Sequence, residues 1–242
     1  MAPVIDFEDT VVLLGRFPAL AGLTISVDPG RIVLLRGSNG AGKTTFLRTC
    51  AGLLAVSRGR ARVLGFDLAV SRREVRPHIG LLGHGSQLYD DLTVADNLAF
   101  WGGAVGADRA DQVAALEAME VSPRLWNIAV QKLSAGQRRR VAIAVLVARR
   151  PRLWLLDEPH AGLDSRGRDL LDGLLGAAAS AGATVVFASH ELDRAEVVAD
   201  TVFDIGGGRA LASSGSPAGR AGGAVDGAAA RDATGEIGAD DR

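Results

Sequence analysis

The run Gly37-Ser38-Asn39-Gly40-Ala41-Gly42-Lys43-Thr44 sets glycines, a lysine and a hydroxyl at the spacing of a phosphate-binding loop. Glycines let backbone amides wrap an anion closely, and a helix opening at the end of the loop adds the positive end of its dipole. Lys43 is then placed to reach the β- and γ-phosphates of a nucleoside triphosphate, and the Thr44 hydroxyl to ligate Mg²⁺. Leu153-Trp154-Leu155-Leu156-Asp157-Glu158 offers the complementary half. A buried strand would deliver Asp157 rigidly to the metal, while Glu158, next in the chain and pointing elsewhere, can polarise an attacking water. An Asp-Glu pair after an apolar strand is by itself only a solvated strand end; behind an unbroken phosphate loop it reads as a hydrolytic site.

The pentapeptide Leu133-Ser134-Ala135-Gly136-Gln137 lies between these motifs. Ser134 and Gln137 have the spacing of a capping box opening a helix that continues through Arg138 to Ala148. Such a helix end is a second anion site beside the phosphate loop. Nothing forces both sites onto one nucleotide in one chain.

The elements needed to position these residues follow the pattern of an α/β domain with a mostly parallel sheet. Val11 to Leu14 and Leu23 to Val27 read as short strands, Asp28-Pro29-Gly30 as a turn, and Ile32 to Arg36 as a central strand apolar on both faces. The phosphate loop opens a helix over Lys43 to Ala51, ended by Gly52. Ile79 to Leu82 is a further strand, Thr93 to Asp96 a capping box, and residues 88–140 a mostly helical lobe. Arg152 to Leu156, Thr184 to Ala188 and Thr201 to Ile205 return to strands, with a helix over Ser165 to Ala181. After about Ser213 the chain turns to Gly, Ala, Ser and Asp, so residues 213–242 are expected to form a disordered tail, with a regulatory or partner-binding segment as the alternative.

Composition narrows the class. At 242 residues with 48% hydrophobic and 23% charged residues, the chain can bury the core of a single domain over residues 1–212. A net charge of -1 gives no field that would draw nucleic acid or an anionic membrane, and Arg138-Arg139-Arg140 is expected to be a solvated helix face. The single cysteine excludes an internal disulfide, Met1 to Asp9 lacks the features of a secretory signal, and no apolar run approaches the ~18 residues of a membrane span. A cytoplasmic protein is expected, reaching any membrane through a partner.

Taken in order, these motifs resemble the ATP-binding cassette (ABC) family, whose signature pentapeptide is Leu-Ser-Gly-Gly-Gln. The resemblance covers about residues 10–212, with Ala135 standing where the family has its first signature glycine. It implies a P-loop NTPase core with an N-terminal antiparallel β region and a helical signature-bearing subdomain. It also implies an ATPase coupled to transport, with ATP and Mg²⁺ as cofactors. By resemblance, residues Gly37 to Thr44 together with Thr45 hold ATP, Glu158 is the general base, and His190 in Ala188-Ser189-His190-Glu191 is the switch histidine at the γ-phosphate. The signature closes on a nucleotide held by a second copy or a homologous cassette, and Ala161-Gly162-Leu163-Asp164 couples the two sites through Asp164.

Two positions depart from the family pattern. The family carries a glutamine after the strand at Ile79 to Leu82; ungapped counting from Leu88-Tyr89-Asp90-Asp91-Leu92-Thr93 puts His84 there as a metal or water ligand, with Gln87 as the alternative. The adenine platform, usually a tyrosine, falls at Phe17, which is adequate for stacking and equally readable as a core residue. Gly37-Ser38-Asn39-Gly40, Leu82-Gly83-His84 and Leu88 to Thr93 together resemble the ATP-binding subunits of cytochrome c maturation haem exporters and related short ABC-2 type export cassettes. That resemblance implies integral membrane subunits as partners, a peripheral location on the inner face of the cell membrane, and no nucleic acid. Other readings are an ABC-2 exporter of a drug, lipid or polysaccharide, and a soluble ABC ATPase without a transporter. A GTPase is disfavoured, since no Asn-Lys-x-Asp motif occurs.

Overall fold

In the computed structural model, which describes residues 2–83 and 85–215, two sheets enclose the phosphate-loop helix. β1 (Ile5–Leu14), β2 (Phe17–Val27), β4 (Arg58–Val63) and β5 (Phe66–Asp67) form an antiparallel sheet in the order β2-β1-β4-β5. The larger sheet orders β10 (Arg209–Gly215), β9 (Thr201–Gly206), β3 (Ile32–Arg36), β8 (Thr184–Ala188), β7 (Leu153–Asp157) and β6 (Ile79–Leu82). Its strands are parallel except for the antiparallel β10 at one edge. The helices are α1 (Lys43–Cys50), α2 (Val94–Gly103), α3 (Arg109–Ala118), α4 (Ala135–Arg149), α5 (Ser165–Ser180) and α6 (Leu192–Val198).

Strand pleating divides the apolar residues between two cores. Ile32 and Leu34 of β3, Trp154 and Leu156 of β7, and Val185 and Phe187 of β8 face α2 to α6. Val33 and Leu35, Leu153 and Leu155, and Val186 and Ala188 face the opposite way, toward α1 and the antiparallel sheet. Strands covered on both faces must be apolar throughout, which is why β3, β7 and β8 are legible in the sequence.

Elsewhere the structure extends what the sequence suggested. β1 and β2 are long partners rather than short strands, with register shifts where polar residues interrupt their alternation. β4, with the sequence Arg58-Gly59-Arg60-Ala61-Arg62-Val63, pairs with β1 and buries only Ala61 and Val63. β10 extends through Gly215, pairing Ser213 with Phe203 and Gly215 with Thr201, so residues 213–215 belong to the sheet and not to the expected tail. The rest of that tail lies outside the described residues. The helical lobe is present, and its signature helix runs past residue 140 to Arg149 to pack against β6 and α2. Among the described residues no helix is long and apolar enough to cross a membrane.

Candidate functional site

Parallel strands end on one side of a sheet, so the segments after β3, β7 and β8 converge there. Gly37, Gly40 and Gly42 of the loop after β3 all have positive φ, at 149°, 77° and 112°. At Gly37 a Cβ would meet the Ile205 carbonyl oxygen at 2.1 Å, so no larger residue fits. Lys43 is buried, its ammonium donating to the carbonyls of Gly37 at 2.6 Å and Ser38 at 3.1 Å, which holds it over the loop. The Thr44 hydroxyl donates to Asp157 Oδ2 at 2.8 Å. These two oxygens come from opposite sides of the chain's sequence to one point, a hard-oxygen pair suited to Mg²⁺. Thr45, next along α1, is also buried.

After Asp157 the chain turns sharply: Glu158 takes φ 50°, a left-handed conformation costly for a non-glycine residue. Its amide donates to the Ala188 carbonyl at 2.9 Å, and the turn aims its carboxylate toward His190. Glu158 Oε2 accepts from the His190 amide at 3.1 Å, and Oε1 lies 3.4 Å from His190 Nε2. His190 is exposed, free to meet a ligand on its other side.

Ser134 caps α4 as its spacing indicated. Its hydroxyl accepts from the Gln137 amide at 3.2 Å, and Gln137 Oε1 accepts from the Ser134 amide at 3.0 Å. Leu133 is buried and anchors the turn, while Ala135 is exposed, its methyl facing outward. Gly136 is the position that space requires, since a Cβ there would stand 3.0 Å from the Gly162 carbonyl oxygen. Asp164 caps α5, accepting from the Gly167 amide at 2.9 Å, and also accepts from Arg140 at 2.7 Å. Those hydrogen bonds, Arg140's first, hold its carboxyl below the usual carboxylate range.

The three arginines after the signature do not form a solvated face. Arg139 is only 8% exposed and donates to the backbone carbonyls of Gly83, Asp157, Glu158 and Pro159. Burial lowers its pKa against the opposing pull of Asp157 and Glu158. One side chain thus ties the signature helix to the turn carrying Glu158. The signal was in the spacing, since Arg139 shares a helical stripe with the buried Ala142, Ile143 and Leu146. Arg140 spans Met119 and Asp164, and Arg138 reaches the Val130 carbonyl and Asp90.

Phe17 is 79% exposed, which rules out the core role; two and three residues further along β2, Ala19 and Leu20 pack against Gly42 of the loop. Gln87 is exposed and lines a crevice with Trp101, Leu146 and Arg149. His84 lies outside the described residues; the carbonyl just before it, that of Gly83, accepts from Arg139 at 2.8 Å.

Comparison with known proteins agrees with this geometry. The ABC transporter family pattern matches residues 20–161. The cytochrome c biogenesis ATP-binding export protein CcmA of Bordetella bronchiseptica is 40% identical over 184 residues, covering 74% of this chain and 80% of that protein. The human phospholipid-transporting ATPase ABCA7 is 35% identical over 204 residues, 83% of this chain and 9% of that much longer protein. A dimeric ATP-binding cassette in a post-hydrolysis state, bound to ADP and Pi, superposes with a TM-score of 0.77 at 23% identity, covering 87% of this chain and 98% of that one. The phosphate loop, the Asp157-Glu158 turn and the capped pentapeptide stand in the family's order on the family's fold, and the chain belongs to the ABC transporters as one of their ATP-hydrolysing subunits.

Proposed function

We propose that this chain powers export across the cell membrane as one of a pair of cassettes docked from the inner face on integral membrane subunits, and that its cargo is haem for cytochrome c biogenesis. The observation that carries the hydrolytic half is the convergence of Lys43, the Thr44–Asp157 pair, Glu158 and His190 at the C-terminal ends of β3, β7 and β8. In this reading the loop amides and Lys43 bind the β- and γ-phosphates, and Phe17 stacks on the base. Thr44 and Asp157 would hold Mg²⁺, which supplies charge neutralisation on the phosphate oxygens. Glu158, oriented by its left-handed turn, takes a proton from water, and His190 holds the γ-phosphate oxygen as charge develops. His84, with the Gly83 carbonyl fastened beside it, is the candidate for the glutamine-loop position.

The dimeric half rests on the signature. Ala135 lines a groove with Ser86, Arg138, Glu158, Ala161 and Gly162, and no residue of 37–44 lines it. The capped end of α4 is therefore offered to a phosphate from another chain, with Asp164 reporting its arrival. Haem is favoured as cargo by the 40% identity to the CcmA protein. The identity to ABCA7 favours, as a second reading, an exporter of lipid.

Purified protein is expected to hydrolyse MgATP, and Glu158→Gln to lower turnover at least about 100-fold while accumulating an ATP-bound dimer in size-exclusion chromatography. A Glu158→Gln chain that stays monomeric with ATP and turns over normally refutes the mechanism. Pull-down from membranes should recover integral subunits of a cytochrome c biogenesis exporter; recovery of a lipid or drug permease instead would reassign the cargo.

A further inference from the structure

The loop that carries both Glu158 and Asp164 also carries a buried histidine that hydrolysis does not use. His160 is 1% exposed, packs its ring edge on Phe187, and places Nε2 2.8 Å from Asp172 Oδ1 on α5. A carboxylate only accepts, so Nε2 carries the hydrogen, and Nδ1 has no partner among the described residues. The other oxygen of Asp172 accepts from Arg194 on α6, which also reaches Asp169 at 2.8 Å. Arg194 stands four residues after His190. A second tie runs parallel to the first: Arg168 donates to the Leu163 carbonyl at 3.1 Å and pairs with Glu191 at 3.0 Å.

Burying an imidazole with one nitrogen unpaired costs more than filling the same space with an apolar ring. What the polar choice adds is direction. Glu158 and His190 sit at the ends of adjacent strands, β7 and β8, and meet through the contacts at 3.1 Å and 3.4 Å. The segment between Glu158 and Asp164 has left-handed backbone at Glu158 and at Gly162, so it is held by what it touches. The two ties fasten this segment, at His160 and at Leu163, to Arg194 and Glu191, both within four residues after His190.

We propose that His160 is a positioning residue which, through Asp172 and Arg194, couples the loop bearing Glu158 and Asp164 to the segment bearing His190. Engagement of Asp164 by a second cassette is then transmitted to the Glu158–His190 pair as one rigid displacement. This rests on the ATPase reading given above and adds the route by which that site is set.

The test is steady-state MgATP hydrolysis by the purified full chain. His160→Phe keeps the ring contact with Phe187 and deletes the bond to Asp172; it is expected to lower kcat about tenfold with less than about a twofold change in KM. His160→Gln, whose amide can donate to Asp172, should recover most of that turnover. Asp172→Asn should reproduce the loss, and the double variant His160→Phe/Asp172→Asn should lose no more than the larger single, because both break one chain of contacts. Wild-type kcat in both single variants, or losses that multiply in the double, overturns the coupling. If His160→Phe does not fold, Asp172→Asn decides alone: a kcat-selective loss supports the proposal and unchanged kcat overturns it. An absence of hydrolysis in the wild type, with no dimer from Glu158→Gln, would instead bring down the ATPase reading on which this rests.

Discussion

The N-termini of α1 and α4 are both helix ends suited to an anion, and they are finished in opposite ways. At α1 the cap is Gly42 in a left-handed conformation, and no side chain bonds the first-turn amides. At α4, Ser134 and Gln137 close a reciprocal box over those donors. A helix leaves its first amides without intrahelical partners, so the first end is unfinished until a phosphate completes it, whereas at the second the box already satisfies the Gln137 amide. On the proposed reading, this difference would let one cassette hold a nucleotide by itself yet need a partner to close. An anion at α4 has to compete with a cap that contributes about 1 kcal/mol, and only a phosphate presented in the right place will do so.

The sharpest way to break this contrast is to disable each end in turn. Lys43→Ala should weaken ATP binding and hydrolysis at least about 100-fold, measured with a fluorescent ATP analogue and phosphate release, while Ser134→Arg should leave the isolated chain's ATP affinity within about twofold and abolish ATP-driven dimerisation. Equal losses of affinity in the two variants would erase the distinction. Arg139 joins the two regions by donating to carbonyls beside Glu158, and Arg139→Ala leaves those acceptors buried without partners. Its unfolding free energy in urea should fall by about 3 kcal/mol, and an unchanged midpoint would mean that the signature helix and the Glu158 turn are held together by packing alone.

Ser134→Ala is a gentler cut. It should cost about 1 kcal/mol of stability, with nucleotide affinity of the single chain unaltered and hydrolysis reduced. The smallest effect is expected at Asp164. Because Arg140 and the Gly167 amide depress its carboxyl pKa, its contribution is complete above about pH 4 and is lost only as pH falls through the lower folded value. Thermal melts of wild type and Asp164→Asn should therefore differ by a constant amount from about pH 5 to 8 and converge in acid, with high salt shrinking the gap because the carboxylate is exposed. A gap that opens or closes between pH 5 and 8 would point to another titrating group.

What could be read in advance divides along the same line. The α4 cap and the Thr93 capping box were both legible, because capping depends on residues three apart. β3, β7 and β8 were legible because strands buried on both faces leave no polar position. β4 was not, since five of its six residues are Arg, Gly or other small or polar-flanked positions whose pairing is decided by β1. Arg139 was misread because an arginine run suggests solvent, and only the neighbours of α4 show that one member points inward. His160 carried no signal at all, since a lone histidine acquires a role only from what it meets.

The sequence by itself determined the kind of chemistry and the order in which its parts occur. Phosphate loops, strand-end carboxylates and capped helix ends are built from contiguous residues whose geometry follows from spacing. Only the tertiary structure decided that Thr44 and Asp157, 113 residues apart, share one hydrogen bond, and that Glu158 and His190 face each other from adjacent strands. It alone decided that Arg139 and His160 are buried. The physical reason is that strand order and burial are properties of the whole packed chain: which polar group is worth desolvating depends on acceptors delivered from elsewhere in the fold.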